Sequence, residues 1–362
     1  MKILETELKN YRNLEKKQIN LDFSKILFVG KNAQGKTNIL ESIYFLSTLK
    51  SPRTSNIQEI PTFGEDNFEI KTKIKKTGVE TGINYLYKEK KRELKINGLK
   101  TTPKNFKNIL SAVLFTTQDL LLLRGSPQDR RDWLDEVISK IYPAYDERLS
   151  KYNKIRIQKN NFLKDYNGNQ TLLDVYNEQL CILGSNIIFL RKKFLKDFEK
   201  LSQEKYKKIS KDEKLTIFYT CPFLAEEEQI EEISQKFMQK LQERKTEEIQ
   251  RGQALVGPHR DDVSFFINNK EAIKFASQGQ QRTIVLSLKL AEIEIIEQKT
   301  GEKPVLLLDD VLAELDDLRQ NYLLKTIDKN TQTIITSVDT LLFDKKFLKD
   351  VKIYKVEEGK IL

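Results

Sequence analysis

Ile26-Leu27-Phe28-Val29, followed at once by Gly30-Lys31-Asn32-Ala33-Gln34-Gly35-Lys36-Thr37, decides how this chain is read. Four apolar residues ending in glycine have the pattern of a buried strand, and the spacing beyond them predicts a helix over Thr37–Leu49. The intervening stretch fits G-x-x-x-x-G-K-S/T, in the strand-to-helix position where that motif binds phosphate. Gly30 and Gly35 let the backbone wrap closely round a phosphate. The N–H groups of Lys31, Asn32, Ala33 and Gln34, with the helix N-terminus, supply partial positive charge. Lys36 is the expected counter-charge to the β- and γ-phosphates of ATP, and the Thr37 hydroxyl is an expected Mg²⁺ ligand.

A phosphate loop of this kind needs a second carboxylate-bearing strand. Pro304-Val305-Leu306-Leu307-Leu308-Asp309-Asp310 is an apolar strand ending in two acids. Asp309 is the expected metal-side carboxylate, and Asp310 stands where a base for the attacking water belongs. Roughly 30 residues upstream, Phe275-Ala276-Ser277-Gln278-Gly279-Gln280-Gln281-Arg282 places Ser277, Gly279 and Gln280 at a helix start, offering a hydroxyl and N–H groups to a γ-phosphate. Ala313-Glu314-Leu315-Asp316 is similar to the D-loop of ABC-type ATPases. No histidine follows Thr336-Ser337-Val338-Asp339, so the switch histidine of ABC transporters is missing; the single histidine is His259.

Around these motifs the chain alternates in character. Residues 1–127 read as short strands with one helix, including Met1–Leu8, 68–74, 79–87, 93–96 and 112–115, with a turn at Asn97-Gly98. From 128 to 250 the period becomes helical: Tyr176, Leu180, Leu183, Ile187, Leu190, Phe194, Phe198 and Leu201 form one stripe. A second stripe begins at Trp133, and a third carries Ile230, Ile233, Phe237 and Leu241. Residues 251–362 return to strands and helices, with a hairpin expected from 263–267 and 272–275 about Asn268-Asn269. The expected architecture is α/β, an ATPase head built from 1–127 and 251–362 with a helical arm, 128–250, inserted in it.

Composition narrows the partners. The 362 residues carry 63 Lys and Arg against 53 Asp and Glu, a formal charge of +10, which suits a polyanion. Charged residues make up 32% of the chain, more than the usual quarter, as long solvent-facing helices require. Lys88, Lys90, Lys91, Arg92, the run Arg191-Lys192-Lys193, Lys50 and Arg53 are read as solvated surface. Two cysteines, Cys181 and Cys221, and no long apolar run predict a reducing, cytoplasmic setting without a membrane span.

The motifs together resemble the RecF family, the DNA-repair members of the SMC and Rad50-like ABC ATPases. The matching stretches include Asn10-Tyr11-Arg12-Asn13-Leu14, Thr37-Asn38-Ile39-Leu40-Glu41, 46–54, Gly125-Ser126-Pro127, and Arg130-Arg131 with Leu134-Asp135. Val256-Gly257-Pro258-His259-Arg260-Asp261-Asp262 is another, and the signature and the paired-acid strand complete the set. The resemblance implies an ATPase that dimerises on ATP, recognises duplex or gapped DNA, and with RecR and RecO helps load RecA. Thr117-Gln118-Asp119 departs from the family's proline and acid, leaving Gln118 as the candidate for a Q-loop glutamine. A transporter subunit would need the switch histidine, and a structural SMC chain would need far longer heptads than this arm holds. The non-enzymatic alternative, an ATP-switched DNA-binding protein with negligible hydrolysis, draws on Asp310, one methylene shorter than the glutamate common at that position.

Overall fold

A computed structural model describes residues 1–361 except 108, 225–228 and 328–329. The chain folds as two compact units, Met1–Leu120 with Leu288–Leu362, and Leu121–Ser287. The expected insertion at 128–250 lies within the second unit, which also takes in residues 251–287.

The first unit holds two six-stranded sheets. One is antiparallel, ordered Leu14–Asn20, Lys2–Tyr11, Phe68–Lys76, Val79–Lys88, Lys91–Ile96 and Leu99–Lys100. The other runs Lys360–Ile361, Lys352–Glu357, Lys25–Val29, Thr333–Ser337, Val305–Asp309 and Ala112–Thr116, parallel apart from its terminal hairpin. Its central strands are apolar because both faces are covered. The helix Lys36–Thr48 buries Ile39, Leu40, Ile43, Phe45 and Leu46 in one core with Ile3, Phe68 and Tyr85 of the first sheet and Ile26, Phe28, Leu307 and Ile334 of the second. Phe45 meets the Tyr85 ring edge-on at 4.8 Å. Each such fully buried side chain contributes about 1.5–3 kcal/mol, and this packing fixes the helix start, hence the phosphate loop.

The second unit contains the helices Pro127–Ile141, Pro143–Lys164, Gln170–Ile209 and Ile230–Arg251. No member of the Tyr176-to-Leu201 stripe is exposed. Two expectations change here. The segment 128–250 is interrupted by a strand, Leu215–Thr220, which pairs along the whole of Asp262–Ile267 and so ties 251–287 to the helices. Residues 272–275 form a helical turn instead of a strand, with Ala276 N–H donating to Ala272 O at 3.1 Å; Lys270–Glu271 makes the short return strand. Four apolar-rich residues are too few for periodicity to separate the two states.

Arg191, expected at the surface, is buried. Its guanidinium forks onto Asp135 at 2.9 and 2.8 Å and donates to Pro258 O at 2.7 Å. Here the stretch Gly257–Asp262 finds its place: Gly257, Pro258 and Asp261 are buried within the second unit, and Arg260 is exposed. Tyr152 OH lies 2.6 Å from His259 Nδ1, Tyr219 OH donates to Asp261, and Arg130 forks onto Asp262 at 2.9 and 2.8 Å. Gly257 has φ +129°, and a Cβ there would sit 2.3 Å from the Tyr152 hydroxyl, so only glycine fits.

Burial sets opposite titrations in this stretch. It lowers the His259 imidazole to about 3 and raises the Asp261 carboxyl to about 6. His259 therefore costs stability as pH falls below 6.5 toward 3, because the unfolded chain binds the proton more readily. Asp261 does the reverse between 6 and its ordinary 3.8, since the folded chain is the better proton acceptor. Asp261→Asn should remove only the second contribution. Urea unfolding from pH 6.5 to 4 is expected to show the wild type gaining on this variant as pH falls, by about 2 kcal/mol; a constant gap would contradict the assignment.

Candidate nucleotide site

The phosphate loop leaves the Lys25–Val29 strand at Gly30, whose N–H donates to Ser337 O at 3.2 Å on the neighbouring strand. A Cβ on Gly30 would meet Val356 O at 2.2 Å, and one on Gly35, φ +107°, would meet Asn13 Oδ1 at 2.8 Å. Both motif glycines are thus required by close backbone approach and, at Gly35, by a left-handed turn into the helix. Lys36 is only 3% exposed, and its ammonium donates to Gly30 O at 2.7 Å and Lys31 O at 3.0 Å. The cation is held inside the loop's own curve, where a polyphosphate would meet it.

Register brings the acids to the same place. The strand Val305–Asp309 lies beside Thr333–Ser337, which lies beside the phosphate-loop strand, so Asp309 is opposite Thr336 and Val29 opposite Ser337. Thr37 Oγ1 donates to Asp309 Oδ1 at 2.9 Å and Thr336 Oγ1 donates to the same oxygen at 2.8 Å. Burial, with Asp310 alongside, raises the Asp309 carboxyl, while the bonds from Thr336 and Thr37 pull it back. A hydroxyl and a carboxylate in hydrogen-bond contact beside a phosphate loop form a hard-oxygen donor set that fits Mg²⁺. Asp310 adopts φ +51°, and its N–H donates to the Thr336 hydroxyl at 2.9 Å. Thr336 is the residue that motif reading missed; it follows 26 positions after Asp310, and only the sheet order joins them.

Gln118 stands on the same edge. Thr116 pairs with Asp309, and Gln118 follows in an exposed turn. Asp119 holds that turn, accepting Thr116 N–H at 2.7 Å and pairing with Lys289 at 2.8 Å. Asp119 is therefore the structural acid of a stretch whose proline is replaced.

Ser277, Gly279 and Gln280 belong to the second unit. Ser277 Oγ accepts Gln280 N–H at 3.2 Å and Gln280 Oε1 accepts Ser277 N–H at 2.8 Å, a reciprocal cap on the helix Gln278–Thr300. The Gln280 amide also donates to Glu213 at 2.6 Å. Ser277 itself is exposed.

Three stretches that carried the family resemblance meet at one buried carboxylate. Glu41 accepts Arg12 Nε and Nη2 at 3.1 and 2.6 Å, Ser51 Oγ at 2.6 Å and Arg53 Nη1 at 3.3 Å. Arg53 also donates to Asn38 Oδ1 at 2.6 Å, and Asn38 donates to Asn13 Oδ1 at 2.7 Å, beside Gly35. Arg53 is thus a partner of the phosphate-loop helix and not merely solvated charge.

Comparison with known proteins agrees with this geometry. The family model described as the RecF/RecN/SMC N terminal domain matches residues 2–361. The DNA replication and repair proteins RecF of Bacillus thuringiensis (strain Al Hakam) and Bacillus cereus (strain B4264) are each 40% identical over 368 residues, covering 100% of this chain and 98% of theirs. A solved structure of the recombination mediator protein RecF with ATP, in the RecFOR pathway, superposes with a TM-score of 0.92 at 33% identity, covering 100% of this chain and 97% of that one. An Smc head bound to the C-winged helix domain of ScpA shares the fold, with a TM-score of 0.57 at 16% identity over 100% of this chain and 97% of that one.

Proposed function

The chain belongs to the RecF family of DNA replication and repair proteins, within the RecF/RecN/SMC group, and from that premise we propose that it is an ATP-switched clamp on DNA. ATP binds the loop Gly30–Thr37, two subunits close over two nucleotides, and the closed dimer holds duplex or gapped DNA while RecR and RecO load RecA. The observation that carries this reading is the cluster of Lys36, Thr37 and Asp309, with Thr336 orienting the carboxylate. Thr37 and Asp309 would hold Mg²⁺, which would supply charge neutralisation to the phosphates. Lys36 binds the phosphate oxygens, and Asp310 takes the proton of the attacking water. Ser277, Gly279 and Gln280 serve the partner's nucleotide in this scheme, and Gln118 senses the γ-phosphate from the strand edge.

Hydrolysis is slow in this proposal. The shorter Asp310 side chain reaches less far than a glutamate, and its backbone is anchored to Thr336. The same observation favours a second reading, a DNA-binding switch with negligible turnover. ATP hydrolysis measured with and without gapped DNA separates the two: stimulation by DNA supports the ATPase, and rates equal to the Asp310→Asn background support the switch.

The charge of +10 makes a further prediction. DNA affinity with ATP present should fall steeply with salt, with a log–log slope of about −0.9 per phosphate neutralised. Fluorescence anisotropy over a salt series tests it, and a flat response would confine the basic residues to a solubility role.

A further inference from the structure

The phosphate loop is braced from outside by the far end of the chain. The strand Lys352–Glu357 runs parallel to the phosphate-loop strand, with Lys355 opposite Val29, and reverses through Glu358 and Gly359, at φ +48° and +69°, into Lys360–Ile361. That reversal is bonded to one loop residue. Gly359 N–H donates to Gln34 O at 3.0 Å, and Glu358 N–H donates to Gln34 Oε1. The brace is also sterically tight: Val356 O occupies the space a Gly30 Cβ would need, and a Cβ on Gly359 would lie 2.5 Å from Asn13 O.

Gln34 immediately precedes Gly35 and Lys36. Both acceptors of Gln34, the side-chain oxygen and the main-chain carbonyl, are satisfied by the hairpin turn. A peptide whose carbonyl is fixed on one side has its plane fixed, so the next N–H, that of Gly35, is aimed on the opposite side. An anion-binding loop works by converging N–H groups. We propose that the turn Glu358–Gly359 is a positioning element of the nucleotide site, holding Gln34 so that the loop's N–H groups are set for phosphate before ATP arrives.

This inference rests on the phosphate-loop reading. Its test uses the full chain: Gln34→Met, which keeps side-chain length and removes the side-chain acceptor; Gly359→Ala, which strains the turn without touching the loop; the double variant; and Lys36→Ala as control. ATP dissociation constants and steady-state hydrolysis are measured well below each protein's thermal midpoint. A preorganised loop loses ground-state binding, so Gln34→Met and Gly359→Ala should each weaken ATP about 5- to 10-fold, as expected for one lost hydrogen bond. Turnover at saturating ATP in Gly359→Ala, which lies outside the loop, should stay within about 2-fold. The double variant should be little weaker than either single one, because both loosen the same turn against Gln34. Singles that bind ATP as wild type does, or multiplicative losses in the double variant, would overturn the positioning role. Wild type and Lys36→Ala binding ATP equally would instead overturn the phosphate-loop reading itself.

Discussion

Lys36→Ala is expected to abolish productive nucleotide binding, with ATP affinity falling roughly 100-fold or more. The ammonium is almost wholly buried and is the charge enclosed by the loop, held by Gly30 O and Lys31 O. Without it, three or four phosphate charges keep only the loop's N–H dipoles and Mg²⁺. Lys36→Arg should retain some binding but hydrolyse poorly, because a planar, wider group does not fit the point-charge position. Calorimetry with ATP and Mg²⁺ decides it, and unchanged affinity in Lys36→Ala would remove the basis of the proposed site.

The second large effect concerns the dimer. Ser277→Arg should leave ATP binding by each subunit nearly intact, because Lys36, Thr37 and Asp309 are untouched, yet it should eliminate ATP-driven dimerisation. Ser277 is exposed at a helix start, and a bulky cation there fills the space proposed for a partner's γ-phosphate. Asp310→Asn should hold the dimer closed, since Asp309 keeps its bonds from Thr37 and Thr336 while the base is lost. Sedimentation with and without ATP reads both outcomes. Mixing Ser277→Arg with Lys36→Ala leaves one intact composite site in the heterodimer, so partial recovery of ATPase activity is expected if the site is built in trans. A Ser277→Arg protein that still dimerises on ATP refutes the sandwich.

Much of the site was legible because its parts are local. Gly30, Gly35, Lys36 and Thr37 lie within eight residues of one another, and Asp309 and Asp310 close an apolar run that identifies itself. What escaped the sequence is whatever depends on sheet order. Thr336 reaches Asp309 through strand pairing, and Gln34 meets Gly359 across 325 positions. Arg191 illustrates another limit. Within Arg191-Lys192-Lys193 nothing distinguishes one cation from the next, and only the position of Asp135 on a different helix shows which is buried. The strand Leu215–Thr220 was hidden by the strong helical periodicity around it, and only pairing with Asp262–Ile267 declares it.

The order of strands in the parallel sheet also dictates a timetable for synthesis. Lys25–Val29 leaves the ribosome before both of its neighbours, Thr333–Ser337 and Lys352–Glu357, each of which follows it by roughly 300 residues. At about 5–20 residues per second, roughly 300 further residues take about 15–60 s. Throughout that interval Ile26, Leu27 and Phe28, all wholly buried in the finished protein, have neither of their partner strands. The nascent chain must carry this apolar segment without its partner strands for tens of seconds. No nucleotide site of this architecture exists on a ribosome until Thr333–Ser337, the strand that joins the phosphate loop to Asp309, has been made.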